Sequence, residues 1–134
     1  MPNEYDDLQQ SYGRCLREKN FIERFYEIFL DSHQEIRPMF AETDFQKQRM
    51  ALRRGISAAI AHASGSSLSR STMGQMAHAH SRKGHAPVRP DLYPCWLDSL
   101  VKAVEETDPE ATPELIARWR KGMKVVIDDF VRHY

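Results

Sequence analysis

The stretch PELIARWRKGMKVVIDDF, residues 113–130, decides the fold class. Its apolar residues Leu115, Ile116, Trp119, Met123, Val126, Ile127 and Phe130 recur at steps of three and four, the period that lines up one face of an α-helix. Thr112, Pro113 and Glu114 supply an N-cap, a first-turn proline and a first-turn acid, the residue types that suit a helix start.

Working back along the chain, the same period returns. From Pro90 and Asp91 onward, Tyr93, Leu97, Leu100, Val101 and Val104 keep one face until Thr107, Asp108 and Pro109 stop it. From Thr72, Met73, Met76, Ala77 and His80 share a face, with Gly84 and Pro87 ending the segment. Residues 65–71 (GSSLSRS) read as a loop with a serine free to cap the next helix. In residues 44–63 Gln48, Leu52, Ile56, Ala59, Ile60 and Ala63 form a stripe, while Arg49, Arg53 and Arg54 fall outside it. Pro38 makes residues 32–40 a turn of helix and a corner. Residues 20–30 carry Phe21, Ile22, Phe25, Tyr26, Ile28 and Phe29 on one broad face, and a further helix covers residues 8–16. The expectation is an all-α chain of about six or seven helices joined by short corners, globular rather than coiled-coil in type.

Composition narrows the function. Nineteen Lys and Arg balance nineteen Asp and Glu, which argues against nucleic acid or an anionic membrane as a partner held by bulk charge. A length of 134 residues suits one domain over residues 1–134, large enough to fold without disulfides. Cys15 and Cys95 stand far apart with no metal spacing and read as free thiols of a reducing compartment. No apolar run nears the roughly 18 residues that a transmembrane helix needs, and the polar, acidic start is unlike a secretory signal. The expected address is the cytoplasm.

Three histidines, His78, His80 and His85, crowd one segment. Helical residues two apart point about 200° away from each other, so His78 and His80 cannot grip one ion together. His80 shares the stripe of Met73, Met76 and Ala77 and is the one that points inward. Packing alone accounts for such a histidine as well as a ligand role does. No Ser-His-Asp or Cys-His constellation, Gly-rich phosphate loop or CxxC occurs. Asp128 and Asp129 fall on the polar side of the last helix and read as solvated. The arginines 49, 53 and 54 form either a solvated face or a contact for anionic groups at the edge of a bound cofactor.

The ordered set of Phe25-Tyr26-Glu27, Phe40 at a corner, Gln48 and Leu52, the Ala-His-Ala-His segment ending at His80, RPDLYPCWLDSL and Trp119 resembles the globin family. The resemblance is closest to bacterial single-domain haemoglobins and to the globin portion of flavohaemoglobins. It implies a three-over-three helical sandwich with shortened ends, holding one haem b noncovalently. No CxxCH attachment motif is present.

By matching position, His80 resembles the proximal histidine that ligates haem iron, with a backbone carbonyl near Met76 expected to take its other ring N–H. Tyr26 resembles the distal tyrosine and Gln48 the distal glutamine, with Leu52 one turn further along. Phe40 resembles the corner phenylalanine against the macrocycle, and Tyr93 the tyrosine near the proximal histidine. The spacing from His80 to Pro90 is longer than in flavohaemoglobins, which leaves His85 as a second candidate ligand. The acid that pairs with the proximal tyrosine and histidine in flavohaemoglobins would fall at or beyond Tyr134.

The resemblance further implies reversible binding of oxygen, with carbon monoxide and nitric oxide as other ligands. Two hydrogen-bond donors toward the ligand imply tight binding. The alternatives are nitric oxide dioxygenation with a separate reductase, since the sequence carries no flavin- or NAD-binding segment, and a haem-based gas sensor. A haem-free helical interaction module is a fourth.

Overall fold

The computed structural model describes residues 5–18 and 20–134. Seven α-helices form among them, and each begins or ends where the local chemistry allows. The helices are α1 (Asp6–Arg17), α2 (Phe21–Leu30), α3 (Ile36–Met39), α4 (Phe45–Ala63), α5 (Arg70–Ala79), α6 (Tyr93–Thr107) and α7 (Pro113–Arg132). Short 3₁₀ turns, Ser67–Ser69 and Pro90–Leu92, lead into α5 and α6. Asp44 caps α4 by accepting from the amides of Gln46 and Lys47. Thr112 caps α7 by accepting from the Leu115 amide at 3.1 Å. Among the described residues no helix is long and apolar enough to cross a membrane.

Around α5 the structure differs from the sequence expectation. The helix begins at Arg70 rather than Thr72, because the 3₁₀ turn winds straight into it. The capping serine is Ser66, which accepts from the Leu68 amide after Gly65 turns the chain at a φ of +86°. The helix also closes at Ala79, ahead of Gly84, with His80 as its C-cap.

The helices stack in two layers, α1, α4 and α5 over α2, α6 and α7, with α4 packed on α7 and α2 on α6. The apolar stripes meet between them, burying Phe21, Phe25, Ile56, Ile60, Leu100, Val104, Trp119 and Met123. Burying a side chain of this size is worth about 1.5–3 kcal/mol, so the interlayer seam supplies the main driving force. The expected three-over-three sandwich is what forms.

One polar anchor is buried in this seam. Asp108, following α6, accepts from the Ser11 hydroxyl at 2.6 Å, from Arg14 Nε at 2.7 Å and from the Glu110 amide at 2.9 Å. Ser11 in turn accepts from the Trp119 indole N–H at 3.0 Å, which links α1, the corner after α6, and α7. Burial works against the Asp108 charge, but the hydrogen bonds from Arg14 and Ser11 prevail and hold its carboxyl below the usual range. Asp129 is not simply solvated, since it meets His62 Nε2 at 2.8 Å and so ties α7 to α4.

Candidate functional site

Between the layers lies a cavity of about 660 Å³. Tyr26, Phe40, Gln48, Leu52, Met76, His80 and Tyr93 all line it, although they are drawn from α2, α4, α5, α6 and the corners that follow α3 and α5. The rest of the wall is aromatic and aliphatic: Phe25, Phe29, Ile36, Trp96, Val126, Ile127 and Phe130 contribute. Its rim includes the exposed Met39, Ala51, His85, Ala86 and Pro87. A large apolar recess with a few converging polar groups is the form that small-molecule and cofactor sites take.

His80 is fixed by the loop that follows it. The chain folds back over the end of α5, with the Ala86 amide donating to Ala79 O and the Val88 amide donating to His80 O, each at 3.0 Å. This return brings the Ala86 carbonyl to 3.1 Å from His80 Nδ1. A carbonyl only accepts, so Nδ1 carries the proton and Nε2 keeps its lone pair. The expected Met76 carbonyl is not the partner, because it already accepts from the His80 backbone amide at 3.0 Å as the last bond of the helix. Burial pushes the His80 pKa down, and the nearby His85 adds to that against the pull of the Ala86 bond. The ring is therefore neutral at pH 7.

Gly84 makes the return possible. A Cβ there would lie 2.2 Å from the carbonyl oxygens of both His78 and Ala79, so the loop sits directly on the helix end. Beside the His80 ring stands Phe130, with ring centroids 5.8 Å apart, and Tyr93 meets the same Phe130 at 6.2 Å. Burial raises the Tyr93 pKa to about 12. Met76 contributes its side chain to the wall, where its Cε lies 3.0 Å from where a Cβ on Gly55 would sit.

At the other group of polar residues, α2 and α4 bring Tyr26 and Gln48 together. Tyr26 is buried, and that burial raises its pKa to about 12, with the neighbouring Gln48 side chain opposing the rise. The hydroxyl keeps its proton across the whole neutral range. Its ring packs edge-on to Phe40 at 6.1 Å and to Phe45 at 5.5 Å. Leu52 is half-buried one turn beyond Gln48 on α4.

His85 also lines the cavity, at its exposed lip, whereas His78 does not. Among the described residues no three His, Cys, Asp or Glu side chains come together to hold an ion. Cys15 and Cys95 are both free, and burial pushes the Cys15 thiol up to about 12. Of the arginines on α4, Arg49 faces Glu23 at 3.7 Å. One contributor had no signal in sequence periodicity: the Ala86 carbonyl, which any residue could supply. Phe45, which packs on Tyr26 from outside the cavity, stands three residues before Gln48 and seven before Leu52, so the α4 stripe could have found it.

This geometry can be set beside known proteins. The family model described as Globin matches residues 23–130. A flavohemoprotein of Bacillus subtilis (strain 168) is 29% identical over 111 residues, spanning 81% of this chain but only 27% of that protein. A crystal structure from Pseudomonas aeruginosa PAO1, of a protein described as structurally highly homologous to a human hemoglobin, superposes with a TM-score of 0.91. That protein is 38% identical, and the match covers 96% of both chains. The chain belongs to the globin family.

Proposed function

We propose that residues 1–134 form one globin domain that binds haem b noncovalently in this cavity and takes up oxygen, carbon monoxide or nitric oxide reversibly. The observation that carries the reading is His80: a neutral imidazole, held through Nδ1 by the Ala86 carbonyl, with Nε2 free to bind a metal in an apolar recess. When bound, haem supplies an iron that coordinates diatomic ligands.

The chain's own residues fit that group. His80 would hold the iron, and Phe40, Leu52, Met76 and Tyr93 would enclose the macrocycle in the cavity they line. Tyr26 and Gln48 present an O–H and an amide N–H to a ligand of partial negative charge while keeping bulk water out. Each such hydrogen bond is worth about 1.5–3 kcal/mol, enough to slow ligand release by roughly ten- to a hundredfold. The high pKa of Tyr26 keeps that donor in place at every physiological pH.

A second reading, conversion of nitric oxide to nitrate with electrons from a separate reductase, draws on the likeness to a flavohemoprotein of which this chain spans about a quarter. Nitric oxide consumption by the haem-loaded chain, with and without an added flavin reductase, separates the two. Consumption that continues through many turnovers supports the enzyme, and one that stops after a single equivalent supports reversible binding.

A further inference from the structure

Two recesses meet at Tyr26. One is the cavity described above, and the other is a groove of about 450 Å³ between α2, α3 and α4 that opens to solvent. Tyr26 lines both, while Phe45 lines the groove alone. The Phe45 ring lies 5.5 Å from Tyr26 and 6.0 Å from Phe40, both of which face the cavity. One aromatic layer, Phe45 with Tyr26, thus stands between solvent and the Tyr26–Gln48 end of the site.

Phe45 is well placed to move. It is the first residue of α4, where backbone amides have no partner within the helix, and its side chain is half-buried. Swinging its ring outward breaks no hydrogen bond of the helix interior. The groove rim is charged but balanced, with Glu23, Glu27 and Asp31 set against Arg24, Arg37 and Arg49. Arg49 and Glu23 are 3.7 Å apart with both side chains partly exposed, and such pairs hold a surface closed only weakly. A balanced rim attracts neither anions nor cations, which suits a small neutral solute.

We infer that this groove is the access path for the diatomic ligand and that Phe45 is its gate. The inference rests on the haem-pocket reading, and it concerns rates rather than affinity. A gate changes the barrier equally in both directions, so association and dissociation shift by one factor and their ratio stays fixed. A residue that merely packs the pocket changes the ratio.

Flash photolysis of the carbon monoxide complex of the haem-loaded chain, with stopped-flow dissociation, tests this on wild type, Phe45→Ala and Phe45→Trp. Phe45→Ala is expected to raise both rate constants by about fivefold, and Phe45→Trp to lower both by a similar factor, the effect of roughly 1 kcal/mol of barrier. Phe45→Trp decides the matter if Phe45→Ala loses haem. Unchanged rates, or a change in dissociation alone, overturn the gate and leave the haem-pocket reading standing. A wild-type chain that forms no carbon monoxide complex overturns both.

Discussion

The Asp108 corner and the His80 cavity both draw polar groups inside, and they satisfy them differently. Around Asp108 the hydroxyl, guanidinium and amide donors are spent on its carboxylate and the indole donor on the Ser11 oxygen, all within the chain. Around the cavity His80 spends one ring nitrogen on Ala86 and keeps the other, while Tyr26 and Gln48 face open volume. A closed network has nothing left to offer and serves to lock helices together. An open one, bordered by apolar walls, retains bonding capacity for something else, and this difference is what singles out the cavity as the proposed site.

Substitutions should break the two regions in different ways. The largest effect is expected from His80→Ala, which removes the proposed iron ligand: the haem-loaded protein loses the absorbance signature of a histidine-ligated ferrous haem, while His85→Ala retains it. The reverse pattern would move the ligand to His85. Next in size is Asp108→Asn, which leaves Arg14 facing a neutral amide in a largely buried setting. Urea unfolding should show a loss of about 2–4 kcal/mol, with the carbon monoxide dissociation rate unchanged.

Tyr26→Phe tests the opposite profile. Oxygen dissociation should speed up roughly tenfold or more, as loss of a hydrogen bond to a partly charged ligand implies, while unfolding of the haem-free chain shifts by less than about 1 kcal/mol. Equal loss of stability at Tyr26 and Asp108 would erase the distinction between the regions.

Acid supplies the smallest and most graded contrast. The folded-state pKa of Asp108 lies below its ordinary 3.8, so its contribution is complete above that value and disappears as pH falls through the folded pKa. For His80 the folded pKa lies below 6.5, so the unfolded chain takes up its proton first and the haem-free fold weakens as pH drops below about 6.5. Acid titrations followed by circular dichroism should show Asp108→Asn losing the low-pH part of this dependence and His80→Ala losing the part nearer neutrality.

Much of this was legible in the sequence because the period of apolar residues reports which face a helix buries. The stripe of α7 and its cap Thr112 act locally, and the structure places them as the pattern requires, whereas the Asp44 cap of α4 emerged only in the structure. The inward placement of His80 came from the same stripe as Met73 and Ala77. What periodicity could not show was the return of residues 81–88, since a backbone carbonyl has no side-chain signature. The bond from His80 to Ala86 depends on Gly84 lying against the helix end, a packing detail without periodic trace. Asp129 escaped for a related reason, because its partner His62 is 67 residues away on another helix.

The most direct test of the central claim is an absorbance titration of the purified chain with haem, read in the ferric state, after reduction, and under carbon monoxide. The account predicts saturation at one haem per chain, with a sharp Soret band that shifts on reduction and again with carbon monoxide, and that His80→Ala alters. A spectrum indistinguishable from free haem at every step would contradict it.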